Sequence, residues 1–200
     1  MKRVRVIKLG GSLLTLPNLR EKFHRWCRDH PHSLTLIIVG GGEVVEAVRV
    51  VDAANRLPED FAHWICIDLM QYTARIAHGI LGNVEIYETR DELQQILTDS
   101  TQNSMAPATA PTIAIVQIAT CFQPGFSNLG LPENWDVTSD TLAAAFGILY
   151  AAEELVVMKS ADPPCYDKLE DLAEVGFVDP CFAEIAEGIG QVRFVNLRAY

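Results

Sequence analysis

Lysine is scarce in this sequence. Lys2, Lys8, Lys22, Lys159 and Lys168 are the only five, and the net charge is -10. With 16 basic against 26 acidic side chains, the chain lacks the basic face that a nucleic-acid binder presents. The deficit leaves nucleotide chemistry open, because a few well-placed cations hold phosphates locally. No apolar run approaches the roughly 18 residues of a membrane span. The basic residues Lys2, Arg3 and Arg5 interleave with strand residues, and no long apolar segment with a small-residue cleavage site follows, so neither a signal peptide nor a membrane partner is expected. Cys27, Cys66, Cys121, Cys165 and Cys181 are odd in number, scattered and free of any Cys-x-x-Cys pair. Reduced thiols and a cytoplasmic location are the expectation. Common site signatures are missing too. There is no Gly-x-x-x-x-Gly-Lys-Ser/Thr, the run Gly40-Gly41-Gly42 lacks a third spaced glycine, and Ser12 sits in no Gly-x-Ser-x-Gly elbow. His24, Cys27, His30 and His32 cluster without a common zinc spacing and read as a polar helix end and turn. No metal site of the protein's own is expected.

What is present is a core and an alternation. Hydrophobic residues make up 49% of the 200 positions and charged ones 21%, enough to bury the interior of a single domain. β-branched, apolar runs at Val4–Leu9, Leu34–Val39, Val84–Tyr87, Thr112–Ile118, Leu155–Met158 and Val192–Val195 read as strands, several of them apolar on both faces. Between them, helical periodicity covers about 19–28, a helix opened by Gly40–Gly42, then 61–81, 89–97, 138–150 and 179–187. Asn18 is placed to cap the first, Val44, Val45, Val48 and Val51 give the second an apolar face, and Ile65, Leu69, Tyr72, Ile76 and Ile80 form one side of the third. Gly82-Asn83 closes that helix as a left-handed cap. Residues 98–111 read as an exposed loop. The pattern is α/β, a three-layer αβα sandwich around a mostly parallel sheet.

Chemistry is expected at the strand ends. Lys8-Leu9-Gly10-Gly11-Ser12 closes the first strand and Gly40-Gly41-Gly42 the second, while Lys159 follows the fifth. Glycine backbone N–H groups approach phosphate oxygens closely, and a lysine beside them supplies charge. Open α/β sheets bind ligands outside the carboxyl ends of their strands. Phosphoryl transfer asks for alignment and charge stabilisation more than for covalent help. Two lysines and glycine amides would supply these, with an acid to orient the lysines, and Asp140 is the candidate. Thr138, Ser139 or Asp140 is also expected to cap the helix that follows. Phe122, Phe126 and Trp135 are available to line a pocket. His63 could face an acceptor, and Asp68 and Asp136 could pair with an amine on it.

Lys8 to Ser12, the run Gly40–Gly42 and Thr138-Ser139-Asp140-Thr141-Leu142-Ala143-Ala144, in this order, resemble the amino acid kinase superfamily, which includes acetylglutamate, aspartate, uridylate and isopentenyl phosphate kinases. The resemblance covers nearly the whole chain. It implies ATP and acceptor side by side along the sheet edge, with the acceptor toward residues 1–120 and the nucleotide toward 121–200. Lys8, Asp140 and Lys159 would be catalytic. Gly10, Gly11, Ser12, Thr138, Ser139, Lys159 and Asp162 would hold ATP, with Gly10, Gly11 and Gly41 as N–H donors and magnesium carried mainly by ATP oxygens. Gly40, Gly41, Gly42, His63, Asp68, Phe126, Trp135 and Asp136 would meet the acceptor. Ala62-His63-Trp64, Leu131 to Asp140 and Arg193 to Asn196 are similar to the small kinases of methanofuran synthesis, which phosphorylate an aminomethylfuran phosphate. A homo-oligomer is the family tendency.

Three readings follow. The first is an ATP-dependent kinase for a small phosphate-bearing acceptor. The second is a kinase for a carboxylate or another phosphate monoester. The third is a nucleotide-binding sensor or storage protein of the same fold, which Lys159-Ser160-Ala161-Asp162-Pro163-Pro164 favours because it replaces the family's usual strand-end pattern.

Overall fold

The computed structural model describes residues 3–102, 111–123 and 130–200. Phe126 and residues 103–110 of the expected loop lie outside these, while the helix Arg90–Gln102 takes up the start of that loop. Six strands, β1 (Val4–Leu9), β2 (Leu34–Val39), β3 (Glu85–Tyr87), β4 (Thr112–Val116), β5 (Glu154–Lys159) and β6 (Gln191–Asn196), form one sheet in the order β3-β4-β2-β1-β5-β6. All five pairings are parallel. Lys8 stands opposite Ile38 on one side and Val157 on the other.

Alternation along the central strands builds two cores, as a sheet covered on both faces requires. Val6, Leu36, Ile38, Leu155 and Val157 point to one face, where they meet Ala143, Phe146 and Phe182. Ile7, Leu9, Ile37, Val39, Val156 and Met158 point to the other, against Phe23, Trp26 and Ala77. The covering helices are α1 (Leu19–Asp29), α2 (Gly42–Asn55), α3 (Glu59–Leu81), α4 (Arg90–Gln102), α5 (Ser139–Leu149), α6 (Leu169–Glu174) and α7 (Phe182–Ala186). The three-layer αβα sandwich is thus the observed architecture.

Several local expectations are corrected. In α3 the buried stripe is Ala62, His63, Cys66, Ile67, Met70, Thr73, Ala74 and Ala77, and the larger residues Tyr72 and Ile76 face outward. The small residues of this stripe let the helix approach its neighbours closely, while Ile67, Met70 and the buried Leu81 fill the space that remains on the same side. α2 buries no residue at all, and Val44, Val50 and Val51 are exposed. Asn18 takes a left-handed conformation (φ 60°) and makes no side-chain cap. Gly82 and Asn83 do take positive φ, but Gly82 is extended in ψ (-177°) and so is no left-handed α cap. α6 was not anticipated. Its start is held by Asp171, which accepts the backbone N–H groups of Asp167 and Lys168.

Charge is buried at both rims of the sheet. At the amino ends of the strands, Arg5 donates to His30 O (2.8 Å) and Thr35 Oγ1 (2.9 Å) and lies over the Trp26 ring (4.8 Å). Glu154, its register partner on β5, is 3.9 Å from Arg5 and 3.1 Å from Arg193. The histidine cluster is scaffolding: His24 Nε2 meets Leu81 O at 2.9 Å and His30 stacks on Trp26. Among the described residues no group of three or more His, Cys, Asp or Glu is arranged to hold a metal. No described helix is long and apolar enough to cross a membrane.

Candidate active site

At the carboxyl rim, Lys8, one residue before the end of β1, and Lys159, the last residue of β5, are aimed at the same acid. Lys8 Nζ is 2.7 Å from Asp140 Oδ1 and Lys159 Nζ is 2.8 Å from Asp140 Oδ2. Lys159 also donates to Phe177 O at 2.5 Å. Burial alone would push the Asp140 carboxyl up, but the two lysines outweigh it and hold the group below the ordinary carboxylate range. Lys159 is lowered from the ordinary lysine value, first by burial and then by the neighbouring charge of Lys8, against the pull of Asp140. Two cations share this one anion, with the buried Asp179 carboxylate acting on Lys159 as well, in a place where few water molecules screen the charges.

Three helical N-termini converge on these groups: the 3-10 turn Gly11–Thr15, α2 and α5. A Cβ on Gly11 would sit 2.1 Å from Gly42 N, and one on Gly40 would sit 2.9 Å from Ser139 Oγ and 3.4 Å from Lys8 Cε. Only glycine permits this approach, and Gly42 also needs its positive φ of 52°. The first N–H groups of a helix have no acceptor within it and carry the positive end of the dipole, which at the 3-10 turn and α2 is a ready site for an anion, whereas at α5 Asp179 already takes part of it. Gly10 is a correction. Its N–H is spent on Met158 O (2.9 Å), as that of Gly40 is on Leu9 O (2.9 Å), so neither is a free donor.

The α5 cap is also a correction. No side chain of Thr138, Ser139 or Asp140 caps this helix. The buried Asp179 does so from outside, accepting Thr138 N (3.0 Å), Thr138 Oγ1 (2.7 Å), Thr141 N (3.0 Å) and Thr141 Oγ1. It fixes the turn that presents Asp140. No local pattern reveals a cap 38 residues away from Thr141.

Beside the rim opens a cavity of about 470 Å³. Ser12, Gly41, Gly42, Thr138 and Ser139 line it next to the lysines, and Val45, Cys66, Ile67, Met70 and Leu142 give it apolar walls. Val137, His63, Glu43, Glu46, Arg49, Asn134 and Trp135 complete the lining. Arg49 lies seven residues along α2 from Gly42, about 10 Å by helical rise. His63 Nδ1 lies 3.2 Å from Asn134 O, so Nδ1–H donates to that carbonyl and Nε2 is left as the acceptor in the neutral ring. Burial lowers the pKa of this imidazole, partly offset by the Asn134 carbonyl and Glu133.

Lys8, Asp140, Lys159, Gly10, Gly11 and Gly40 belong to the rim and do not line the cavity, and three further expected carboxylates join neither group. Asp68 is exposed and meets Gln71 at 3.5 Å. Asp136 is exposed and accepts from Asn134 (3.3 Å). Asp162 is exposed beyond β5, where Asn196 donates to it at 2.9 Å. Each is a carboxylate whose local turn or neighbour engages it. Arg49 and Glu46 were not singled out in the sequence, where a charged pair three apart on a helix looks like any solvated face.

No protein-family model matches the chain. In sequence it is similar to [5-(aminomethyl)furan-3-yl]methyl phosphate kinase of Methanocaldococcus jannaschii, at 23% identity over 164 residues, covering 82% of this chain and 68% of that protein. In structure it is similar to UMP kinase from Ureaplasma parvum, with a TM-score of 0.63 and 14% identity over 98% of this chain and 91% of the other. The chain has the amino acid kinase fold. Uridylate kinase from Archaeoglobus fulgidus is a further neighbour, at TM-score 0.60 and 16% identity, covering 100% of this chain and 93% of that one. The named relatives are kinases, and what this chain shares with the solved structures is their fold.

Proposed function

We propose that the chain is an ATP-dependent kinase that transfers a γ-phosphoryl group to a small phosphate-bearing acceptor, with [5-(aminomethyl)furan-3-yl]methyl phosphate as the first candidate. The observation that carries this reading is Asp140 spanning Lys8 and Lys159 where three helical N-termini meet. A transferring phosphoryl group passes between two polyanions, and its barrier is mainly alignment and charge. Lys8 supports the transferring group from one side and Lys159 from the other, and Asp140 keeps both ammonium groups from swinging away. The N–H groups at the starts of the 3-10 turn and of α2 hold phosphate oxygens on either side. Magnesium would enter on the ATP oxygens and neutralise phosphate charge there.

The cavity supports the acceptor half of the reading. It lies beside Gly41 and Gly42, its walls are apolar, and Trp135 and His63 offer flat surfaces to a ring. The acidic groups Glu43 and Glu46 suit an ammonium substituent. Residues 1–120 supply most of this lining, with the 134–142 segment closing it. The nucleotide is assigned to the side of Lys159, Ser160 and Asp162. A homo-oligomer fits the outward apolar residues of α2 and α3 (Val50, Val51, Phe61, Tyr72 and Ile76), and light scattering in solution tests it.

One observation favours the sensor reading. Asp162, at the altered strand end before Pro163 and Pro164, is already engaged by Asn196. The test is ADP release with ATP and magnesium, with and without the furan phosphate, other phosphate monoesters and carboxylates. The kinase reading expects acceptor-dependent ADP, highest with the furan phosphate. Tight ATP binding with no ADP from any acceptor would replace it with the sensor reading.

A further inference from the structure

Trp135 is the one ring of the cavity that belongs to an irregular segment, and yet it is held on two sides. Its indole N–H donates to Asp52 Oδ2 at 2.7 Å. The Arg49 guanidinium lies over its ring, 4.0 Å from the centroid, and pairs with Glu46 at 3.4 Å. Asp52 is itself anchored, because its Oδ1 accepts the N–H of Leu57 (2.8 Å) just past the end of α2. It does not line the cavity. A cation–π contact and a hydrogen bond to a carboxylate together fix both the plane and the edge of an indole. Neither contact is part of the core, to which α2 contributes only the half-buried Val45.

We propose that Asp52 is a positioning residue for the acceptor: it sets Trp135 as a fixed flat wall and so favours a planar ring over a flexible chain of similar volume. The proposal rests on the cavity being the acceptor site of the kinase reading. A ring loses little freedom against a flat wall, whereas an aliphatic chain must freeze several torsions to reach the same contact. Asp52 touches no substrate and acts only through the indole.

A double-mutant cycle in the full chain tests it. Asp52→Ala, Trp135→Phe and the double variant are compared in KM and kcat with the aminomethylfuran phosphate and with 3-aminopropyl phosphate. Phenylalanine keeps a ring and has no N–H, so Asp52 has nothing to hold in that background. Asp52→Ala is expected to raise the KM for the furan phosphate about tenfold, the order of a lost hydrogen bond to a charged group, with kcat little changed. It should move the aminopropyl phosphate by less than about threefold, and add little on top of Trp135→Phe. Loss of the Leu57 contact occurs in both backgrounds and cancels in the cycle. An equal loss for both acceptors, or additive effects, would overturn the proposal and make Asp52 merely structural. Tryptophan fluorescence titration with each phosphate reads binding independently of turnover. Binding without ADP would defeat the kinase reading and leave the cycle to be read in dissociation constants. Absence of binding by either phosphate would overturn the positioning proposal itself.

Discussion

The two rims of the sheet carry buried charge on the same pair of adjacent strands, and they use it differently. At the amino rim, Arg5 on β1 faces Glu154 on β5, and the arginine also has a carbonyl, a hydroxyl and an indole face to itself. At the carboxyl rim, Lys8 and Lys159 share one carboxylate. The first set is distributed among protein partners and turned inward. The second stands beside a cavity and beside the N-termini of the 3-10 turn and α2. Buried charge alone therefore does not mark a site, since Glu154 too is shared by two cations. Buried charge set beside an open cavity and backbone N–H groups does.

Removing one cation from each rim is the sharpest way to separate them. Lys8→Ala is expected to cut acceptor-dependent ADP release by about a thousandfold or more, the scale of lost charge stabilisation in a transition state, while the thermal transition remains cooperative. Near-normal turnover in that variant would remove the carboxyl rim from the chemistry. Arg5→Met should do the reverse: about 3 kcal/mol less stability in urea, because Glu154 loses a buried partner, with KM for both substrates unchanged. If Arg5→Met instead abolished turnover in a protein of native stability, the division of labour would be lost.

The smallest effect is in pH. Lys159 is lowered by burial and by Lys8, so it sheds its proton at a lower pH than an ordinary lysine. Activity that needs its charge is present below that folded pKa and lost as pH rises through it. The alkaline limb of kcat should therefore fall earlier than for an unperturbed lysine, and Lys159→Arg should carry the limb upward. A limb that Lys159→Arg leaves in place belongs to another group. Asp140, held low by both lysines, stays ionised as pH falls through the ordinary carboxylate range and sets no limb there.

The strands were legible because their apolar residues alternate to no polar face: β1 and β2 match the expected limits residue for residue. The glycine runs were legible for the same reason that they matter, since nothing larger fits between Gly11 and Gly42. What failed to show was whatever depends on a partner distant in sequence. The inward stripe of α3 is set by how closely its neighbours approach, which favours Ala74 and Ala77 over Tyr72 and Ile76. Asp179 caps a helix that starts forty residues earlier. Gly10 reads as a free amide in a glycine pair until β5 is laid beside it. Asp68 and Asp136 have the right chemistry for an amine, and only the folded chain turns them elsewhere.

The contact between Gly11 and Gly42 has a consequence for anyone recombining this chain with its relatives. Two turns from different strands touch main chain to main chain, so neither can be grafted without the other. A chimera that exchanges only one would import a mismatched neighbour at the point of tightest clearance, and crossover points belong outside residues 10–42.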